Sequence, residues 1–477
     1  MSELRIKTVI VSMILSLMIV GLLQAQSENE LRLRPKKPDL SESSLRTVWP
    51  DANCGRVQKQ VAMRTEVRPL PLVAYRDGHR PVPIRREMSI SQLQGIARCN
   101  NPTLGQAARR IEALRGKYVQ DGLYPNPIVG YIAEDMGALG TSGKQGGFVG
   151  QEIVTAGKLK FNRAVVSHEI DMARREWEIQ YLRVTNDVQA GACKVIAAQR
   201  MIALDKQLVQ IGEQGLSAAE QLFEAKEVSR IDVIQARIEA NTAKLQLENS
   251  QNDHRARWQE LTAIVGIPNM QTCILQDTLN TDLPEQNWEE ALTRLMGSSP
   301  ELSRAYAEVE RARCFLARQR VERVPNFEIG AGVEYDNIEQ TNLASVIVSA
   351  PLKIFDRNQG NIRMAESELI AAKRNLCRQK LALRERLAAV FEQHANAKQQ
   401  VDMYRNQILI DANDSLELVQ HGYRQGEYGY LELLTSQRTY FQSHVDYVKS
   451  LESLWVSNTM IEGMLISGGL KSPEDYP

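Results

Sequence analysis

The sequence predicts a mainly α-helical protein with a small membrane β-barrel, built by duplication of one large unit. Three observations predict it. The order of elements repeats at a spacing of about 200 residues, far longer than the ~20 to 50 of solenoid repeats, so it marks two copies of one unit. Pro125-Asn126-Pro127 is answered by Pro325-Asn326-Phe327, and Ile231-Asp232-Val233 by Leu431-Glu432-Leu433. Each half carries a long helical run that proline does not interrupt. Each half also carries two short strand-like segments, and no apolar run beyond the N-terminus is long enough for a spanning helix, so a membrane crossing must use strands.

Taken in order, residues 1–25 read as a signal peptide. Arg5 and Lys7 precede the apolar run Thr8 to Leu23, and Leu23-Gln24-Ala25 is a small-residue cleavage site before Gln26. An uncleaved inner-membrane anchor is the alternative, disfavoured because the run falls short of the ~20 residues a spanning helix needs. The nearest following cysteine is Cys54, which gives no support to N-terminal lipid attachment. Residues 26–100 form a Pro-rich periplasmic segment without an assigned role. The first repeat is 101–265, with strands at about 127–135 and 147–155 and a helical hairpin at about 158–265. An inter-repeat equatorial segment, 266–298, leads to the second repeat, 299–466. There the strands are expected at about 326–335 and 343–352 and the hairpin at about 356–466. A tail, 467–477, closes the chain.

The long helices carry apolar residues every seven positions. Tyr181, Val188, Val195, Ile202 and Val209 mark the first, and Leu369, Leu376, Leu383, Val390, Ala397 and Tyr404 the second. A sustained repeat of seven underwinds neighbouring helices into left-handed coiled-coil packing. At ~1.5 Å per residue each would reach roughly 100 Å, beyond any globular domain. The shorter partners are 231–265 and 301–323 for the first, and 431–466 with 104–122 for the second. The expected layout is a cylinder wall of continuous and two-piece staves.

In the second strand pair Phe327, Ile329, Ala331, Val333 and Tyr335 alternate with Glu328, Gly330, Gly332, Glu334 and Asp336. Period two over about ten residues suits a tilted transmembrane strand with one face to lipid, leaving Glu328 and Glu334 toward a polar lumen. Four strands cannot close a barrel when single-chain examples need about eight; three copies would bring the number to about twelve.

Lysine plus arginine and aspartate plus glutamate both number 58, so no strong field for nucleic acid is expected. The six cysteines lack the close pairs of zinc sites, and a Cys54–Cys99 bridge is conceivable in an oxidising compartment. The six histidines are scattered, with no His-Glu-x-x-His spacing and no phosphate-binding loop. No enzyme activity and no cofactor are expected.

From about Asn101 to Ile466 the chain resembles the TolC-like outer-membrane factors. Its motifs are Asn101-Pro102, Pro125-Asn126-Pro127 and Ala350-Pro351-Leu352-Lys353-Ile354-Phe355-Asp356-Arg357-Asn358-Gln359-Gly360-Asn361. The Phe-Asp-Arg-Asn-Gln-Gly-Asn string is most similar to the heavy-metal (cobalt-zinc-cadmium and copper) resistance branch, as is the Gly157-Lys158 turn. The resemblance implies a homotrimeric outer-membrane exit duct with a long periplasmic extension, fed by a periplasmic adaptor (membrane fusion protein) and an inner-membrane pump of the RND or related type. The cargo would be metal cations or drugs; a type I secretion duct is the variant within the family. The rival reading is a periplasmic coiled-coil adaptor or spacer without a pore, which would place a single helical hairpin between β-rich halves.

The resemblance also implies site residues. The adaptor would dock on the hairpin tips, at Lys226 and Ser229 in the first half and Arg424, Gly426 and Tyr428 in the second. Lys226 stands where Gly426 supplies the glycine of the turn, a departure in the first half. The gate would lie at Glu432 and Thr435, where Glu432 in a threefold ring would favour cations; a helix N-terminal acid stabilised by the helix dipole is the alternative. Asp232 reads as a helix cap.

Overall fold

A computed structural model of the chain describes residues 87–473, apart from positions 278, 280–282 and 426. These residues belong to one compact unit, Val73–Pro477. The expected signal peptide, most of the Pro-rich segment, Cys54, Gly426 and the end of the tail lie outside them.

The described fold starts ahead of Asn101. A short strand β1 (Glu87–Met88) leads into α1 (Ile90–Asn100), started by a capping box in which Ser89 and Gln92 satisfy each other's backbone amides. Asn101 then caps α2 (Pro102–Gln120), and its amide nitrogen donates to the Ile264 carbonyl at 2.7 Å. The Asn-Pro pair therefore starts a helix and fixes it to the end of another.

The first strands are β2 (Ile128–Glu134) and β3 (Lys144–Ile153). The second begins three residues earlier than the glycine content suggests. Gly143, at φ +70°, ends the loop, and Gly146 lies within the sheet, where a Cβ would fall 2.2 Å from the Val333 carbonyl oxygen. Close approach of neighbouring backbone is what those strand glycines permit. Next come α3 (Lys158–Glu224, 67 residues) and α4 (Arg230–Val265). The inter-repeat segment holds a two-residue strand β4 (Ile274–Leu275), parallel to β1, and α5 (Trp288–Ser298).

The second repeat follows as α6 (Pro300–Val321), β5 (Phe327–Asp336) and β6 (Thr341–Ser349). Its long helix is α7 (Gln359–Met403), a π-helical turn (Tyr404–Ile408) and α8 (Leu409–Gln425), and it returns through α9 (Tyr430–Glu462). At ~1.5 Å per residue, α3 is roughly 100 Å long.

The four longer strands form one antiparallel sheet in the order β2-β3-β5-β6. Both hairpins therefore join through the β3–β5 pairing, and β2 and β6 are left as edges. No helix among the described residues is long and apolar enough to cross a membrane.

The main core sits where α1 and the middle of α3 meet α4 and α9, around Leu93, Val188, Val195, Trp258, Leu261 and Leu451. Val188 and Val195 of the seven-residue repeat are completely buried there. In the second half, Leu383 and Leu387 of α7 meet Leu302 and Ile461. The pairing expected of α2 is different within one chain: α2 packs on α3, while α7 packs on α6 and α9. Helix α6 touches both long helices. Gly463 to Gly469 fold back onto α3, where Asn186 donates to the Gly463 and Ile466 carbonyls and Asp187 accepts from the Gly468 and Gly469 amides.

Candidate functional site

Two regions bring the expected functional residues together: the hairpin tips and the sheet. At the first tip, α3 ends with the Lys226 amide donating to the Phe223 carbonyl (3.0 Å) and the Glu227 amide to the Leu222 carbonyl (2.9 Å). That is a Schellman closure, with Lys226 itself in the left-handed conformation at φ +63°. The lysine does not change the turn: it accepts the backbone geometry that a glycine would adopt without strain. The second tip closes with the equivalent bond, Glu427 amide to Gly422 carbonyl at 2.8 Å.

The returning helices then diverge. In α4, Ser229 is the N-cap, and its amide and hydroxyl donate to the Asp232 carboxylate at 2.9 and 2.7 Å. Asp232 is thus held in a capping box. In α9 the N-cap is Gly429, which has no side chain to offer. Glu432 Oε2 lies over it, 2.8 Å from where a Cβ would stand. Among the described residues Glu432 makes no side-chain hydrogen bond, and it is exposed. Thr435 lies one turn on, also exposed, but its hydroxyl donates back to the Leu431 carbonyl at 2.8 Å. Of these two residues, only Glu432 presents a polar group free of its own helix.

Lys226, Ser229 and Tyr428 are exposed, and Arg424 falls in the last turn of α8. The Tyr428 ring rests against Gly422, where an added Cβ would fall 2.3 Å from its Cδ2. The first half has Leu222 at this place. A glycine in the last turn of a helix was the available signal for this aromatic seat, and sequence reading passed over it. Tyr430 packs on the Ala219, Val233 and Ala236 cluster of the first hairpin. Burial raises the pKa of its phenol and that of Tyr423. Between α3, α4 and α9 runs a groove of about 680 Å³ whose walls include Asp205, Glu239, Arg438 and Asp446.

The sheet register sorts its faces. Glu328 stands between Glu152 and Ser349, Glu334 between Gly146 and Leu343, and Asp336 between Lys144 and Thr341. The opposite face carries Ile329, Ala331, Val333 and Tyr335, flanked by Val149, Val346 and Val348. The first face therefore carries the carboxylates of the sheet among glycines and the apolar Phe148, Leu343 and Ile347, and the second carries the aliphatic run with Gln145, Gln151 and Asn342 interspersed, both continuous across strands of both halves. At the end of the sheet nearest α3, Asn326 binds the two halves together. It accepts from the Thr155 amide (3.2 Å) and Lys158 Nζ (2.8 Å) and donates to Glu152 Oε1 (2.7 Å). Burial lowers the Lys158 pKa, against the pull of Glu322.

A duplicated pair of long helical hairpins, each following its own strand pair in a sheet whose carboxylates all lie on one face, defines an efflux-channel architecture of the TolC type. The chain belongs to the outer membrane efflux protein family, whose sequence pattern matches residues 93–267 and 291–458. Among curated proteins it is 25% identical over 387 residues to the cobalt-zinc-cadmium resistance protein CzcC of Cupriavidus metallidurans, covering 80% of this chain and 90% of that protein. Among solved structures, CusC superimposes with a TM-score of 0.67 at 16% identity, over 80% of this chain and 92% of that one. The outer membrane protein VceC of Vibrio cholerae gives 0.65 at 14% identity, over 79% and 96%.

Proposed function

We propose that three copies of this chain form the outer-membrane exit duct of a tripartite efflux system, passing metal cations from an inner-membrane pump and periplasmic adaptor to the exterior. The observation that carries the reading is the sheet: four strands with two unpaired edges, β2 and β6, and carboxylates confined to one face. Open edges template pairing with another chain, and closure into a barrel removes them. Three copies with β6 of each beside β2 of the next satisfy every edge. The face without carboxylates then meets lipid, and Glu328 and Glu334 line the lumen.

The helices support the same assembly. Leu381 and Leu418 of the second long helix are each 70% exposed in the single chain, apolar surface that a neighbouring copy would cover. The adaptor docks on the tips, at Lys226, Ser229, Arg424, Gly426 and Tyr428. Glu432 forms a ring of three carboxylates at the constriction, beside Thr435, and favours cations there. The choice of metal cations rests on the similarity to the cobalt-zinc-cadmium resistance protein and on the Phe355 to Asn361 string.

The test is fractionation followed by planar-bilayer recording. Recovery in the outer membrane and cation-selective conductance by the purified protein are expected; recovery in the soluble periplasm would sink the proposal. For the cargo, deleting the gene should lower tolerance to zinc, cobalt or cadmium, and unchanged tolerance to all three would remove metals from the reading.

A further inference from the structure

Residues 350–358 join β6 to α7 and leave apolar side chains uncovered. Phe355 is 91% exposed, the most open large apolar side chain among the described residues, and Leu352 is 83% exposed, with Ile354 open beside them. The connection at the same place in the first half, residues 154–157, is less than half as long and exposes no large apolar side chain. Apolar groups that stand together in water mark a contact surface.

The polar residues of the string turn toward its own backbone and fix it. The Ile354 amide donates to the Leu352 carbonyl (2.9 Å), Arg357 Nε to the Ile354 carbonyl (3.1 Å) and Gln359 Nε2 to the Phe355 carbonyl (3.2 Å). In return Gln359 Oε1 accepts from the Arg357 amide (2.8 Å), and Asp356 Oδ1 from the Asn358 amide (2.9 Å). Asn358 Nδ2 donates to the Gln319 carbonyl at 2.8 Å, which ties the loop to α6. A loop held this firmly presents Leu352, Ile354 and Phe355 outward in one arrangement. Arg357 is exposed and has no acid within ion-pair distance among the described residues, so the charge of its guanidinium is open to a partner.

Placement selects that partner. β6 has 9 residues. At ~3.3 Å per residue and a tilt of about 40° such a strand rises roughly 23 Å, close to the ~25 Å apolar band of an outer-membrane barrel. The loop therefore leaves the band at the end of the sheet where the long helices begin. Closure of β6 on β2 of the next copy would bring beside it the run Leu123 to Pro127, which has no acid for Arg357 and itself exposes Leu123 and Tyr124. We infer that the 352–357 loop seats in the phospholipid leaflet at the periplasmic rim of the barrel, with Leu352, Ile354 and Phe355 among the acyl chains and Arg357 on an anionic phosphate headgroup. Apolar groups beside an arginine fit that boundary, because the long side chain keeps its charge at the headgroups while its neighbours leave water. The inference rests on the duct reading, which sets this end of the sheet toward the periplasm.

The experiment uses the full chain reconstituted into vesicles of phosphatidylethanolamine and phosphatidylglycerol, with flotation confirming insertion. Phe355→Trp places an indole in the loop, and wild type supplies the background of the native tryptophans. Phospholipids brominated near the headgroup should quench the added indole about twofold, and those brominated deep in the chain should quench it less. Leu352→Trp repeats the reading at a second position. The melting temperature of wild type should rise when phosphatidylglycerol replaces a neutral lipid, and Arg357→Gln should lose at least half of that gain. Protein that floats with the vesicles while neither indole is quenched beyond the background has its loop covered by a neighbouring copy or by water, which overturns the inference and leaves the duct standing. An equal gain from phosphatidylglycerol in Arg357→Gln overturns the headgroup contact. Failure to float overturns the duct reading first and the inference with it.

Discussion

Arg438 holds Glu239 with two hydrogen bonds, Nε to Oε1 at 3.2 Å and Nη2 to Oε2 at 2.7 Å, and thereby ties the returning helix of the second hairpin to that of the first. The pair raises the arginine's pKa further, through the hydrogen bond first and the charge second. Most of the guanidinium is in solvent, so the coupling is that of a well-aligned surface pair, about 0.5–1 kcal/mol. A double-mutant cycle of Arg438→Ala and Glu239→Ala, read by thermal unfolding, should give that coupling at low salt and less at 1 M. Coupling of zero at low salt would show that the two hairpins are held at the tip by apolar packing alone.

Glu432 and Asp232 occupy equivalent places and should fail differently. Asp232→Asn weakens a capping box, costing about 1 kcal/mol of stability and leaving ion selectivity unchanged. Glu432→Gln removes a carboxylate that caps no side chain, so the melting temperature should hardly move while cation preference in planar bilayers falls. Unaltered selectivity in Glu432→Gln would take this residue out of the constriction.

Lys226 stores backbone strain at φ +63°. A left-handed non-glycine residue costs roughly 1–2 kcal/mol, part of which glycine returns through its more flexible unfolded state. Lys226→Gly should therefore stabilise the protein by about 0.5–1 kcal/mol. The check is thermal unfolding beside Lys226→Ala, which keeps the strain and should gain nothing. If both variants shift the melting temperature alike, the lysine charge and not the backbone is responsible.

The long helices and the strand alternation were legible because each rests on a periodicity that a single sequence carries. Val188 and Val195 were picked out by the spacing of seven, and Ile329 to Tyr335 by the spacing of two. Three things were not legible, each for a physical reason. The start of β3 was misplaced because glycine has no side chain to alternate, so Gly146 reads as loop although neighbouring backbone demands it in the sheet. The turn at Lys226 looked altered because residue identity suggests φ but does not set it; the two closing hydrogen bonds do. The partner of α2 could not be read, because in a pseudo-symmetric chain the same apolar face fits either long helix, and only tertiary contacts choose α3.

Asp205 offers a pH test of the helical wall. It is almost wholly buried, with Ser250 donating a short hydrogen bond to Oδ2. Burial raises the pKa of the carboxyl, and the Ser250 bond only partly opposes this. Glu239, Asp446, Lys449 and Arg438 line the same groove, so their charges shape the curve but are common to wild type and variant. With its folded-state pKa above the unfolded one, Asp205 binds its proton more tightly in the folded chain. Its contribution is fully present below the unfolded pKa and is lost as pH rises through the folded pKa. Asp205→Asn keeps an oxygen for Ser250 and removes the titration. The variant's melting temperature should therefore gain on wild type from acid toward neutral pH. Subtracting the two curves cancels the shared carboxylates. A constant difference across that range would mean that Asp205 does not change protonation between the folded and unfolded states, and that its burial is offset by hydrogen bonding.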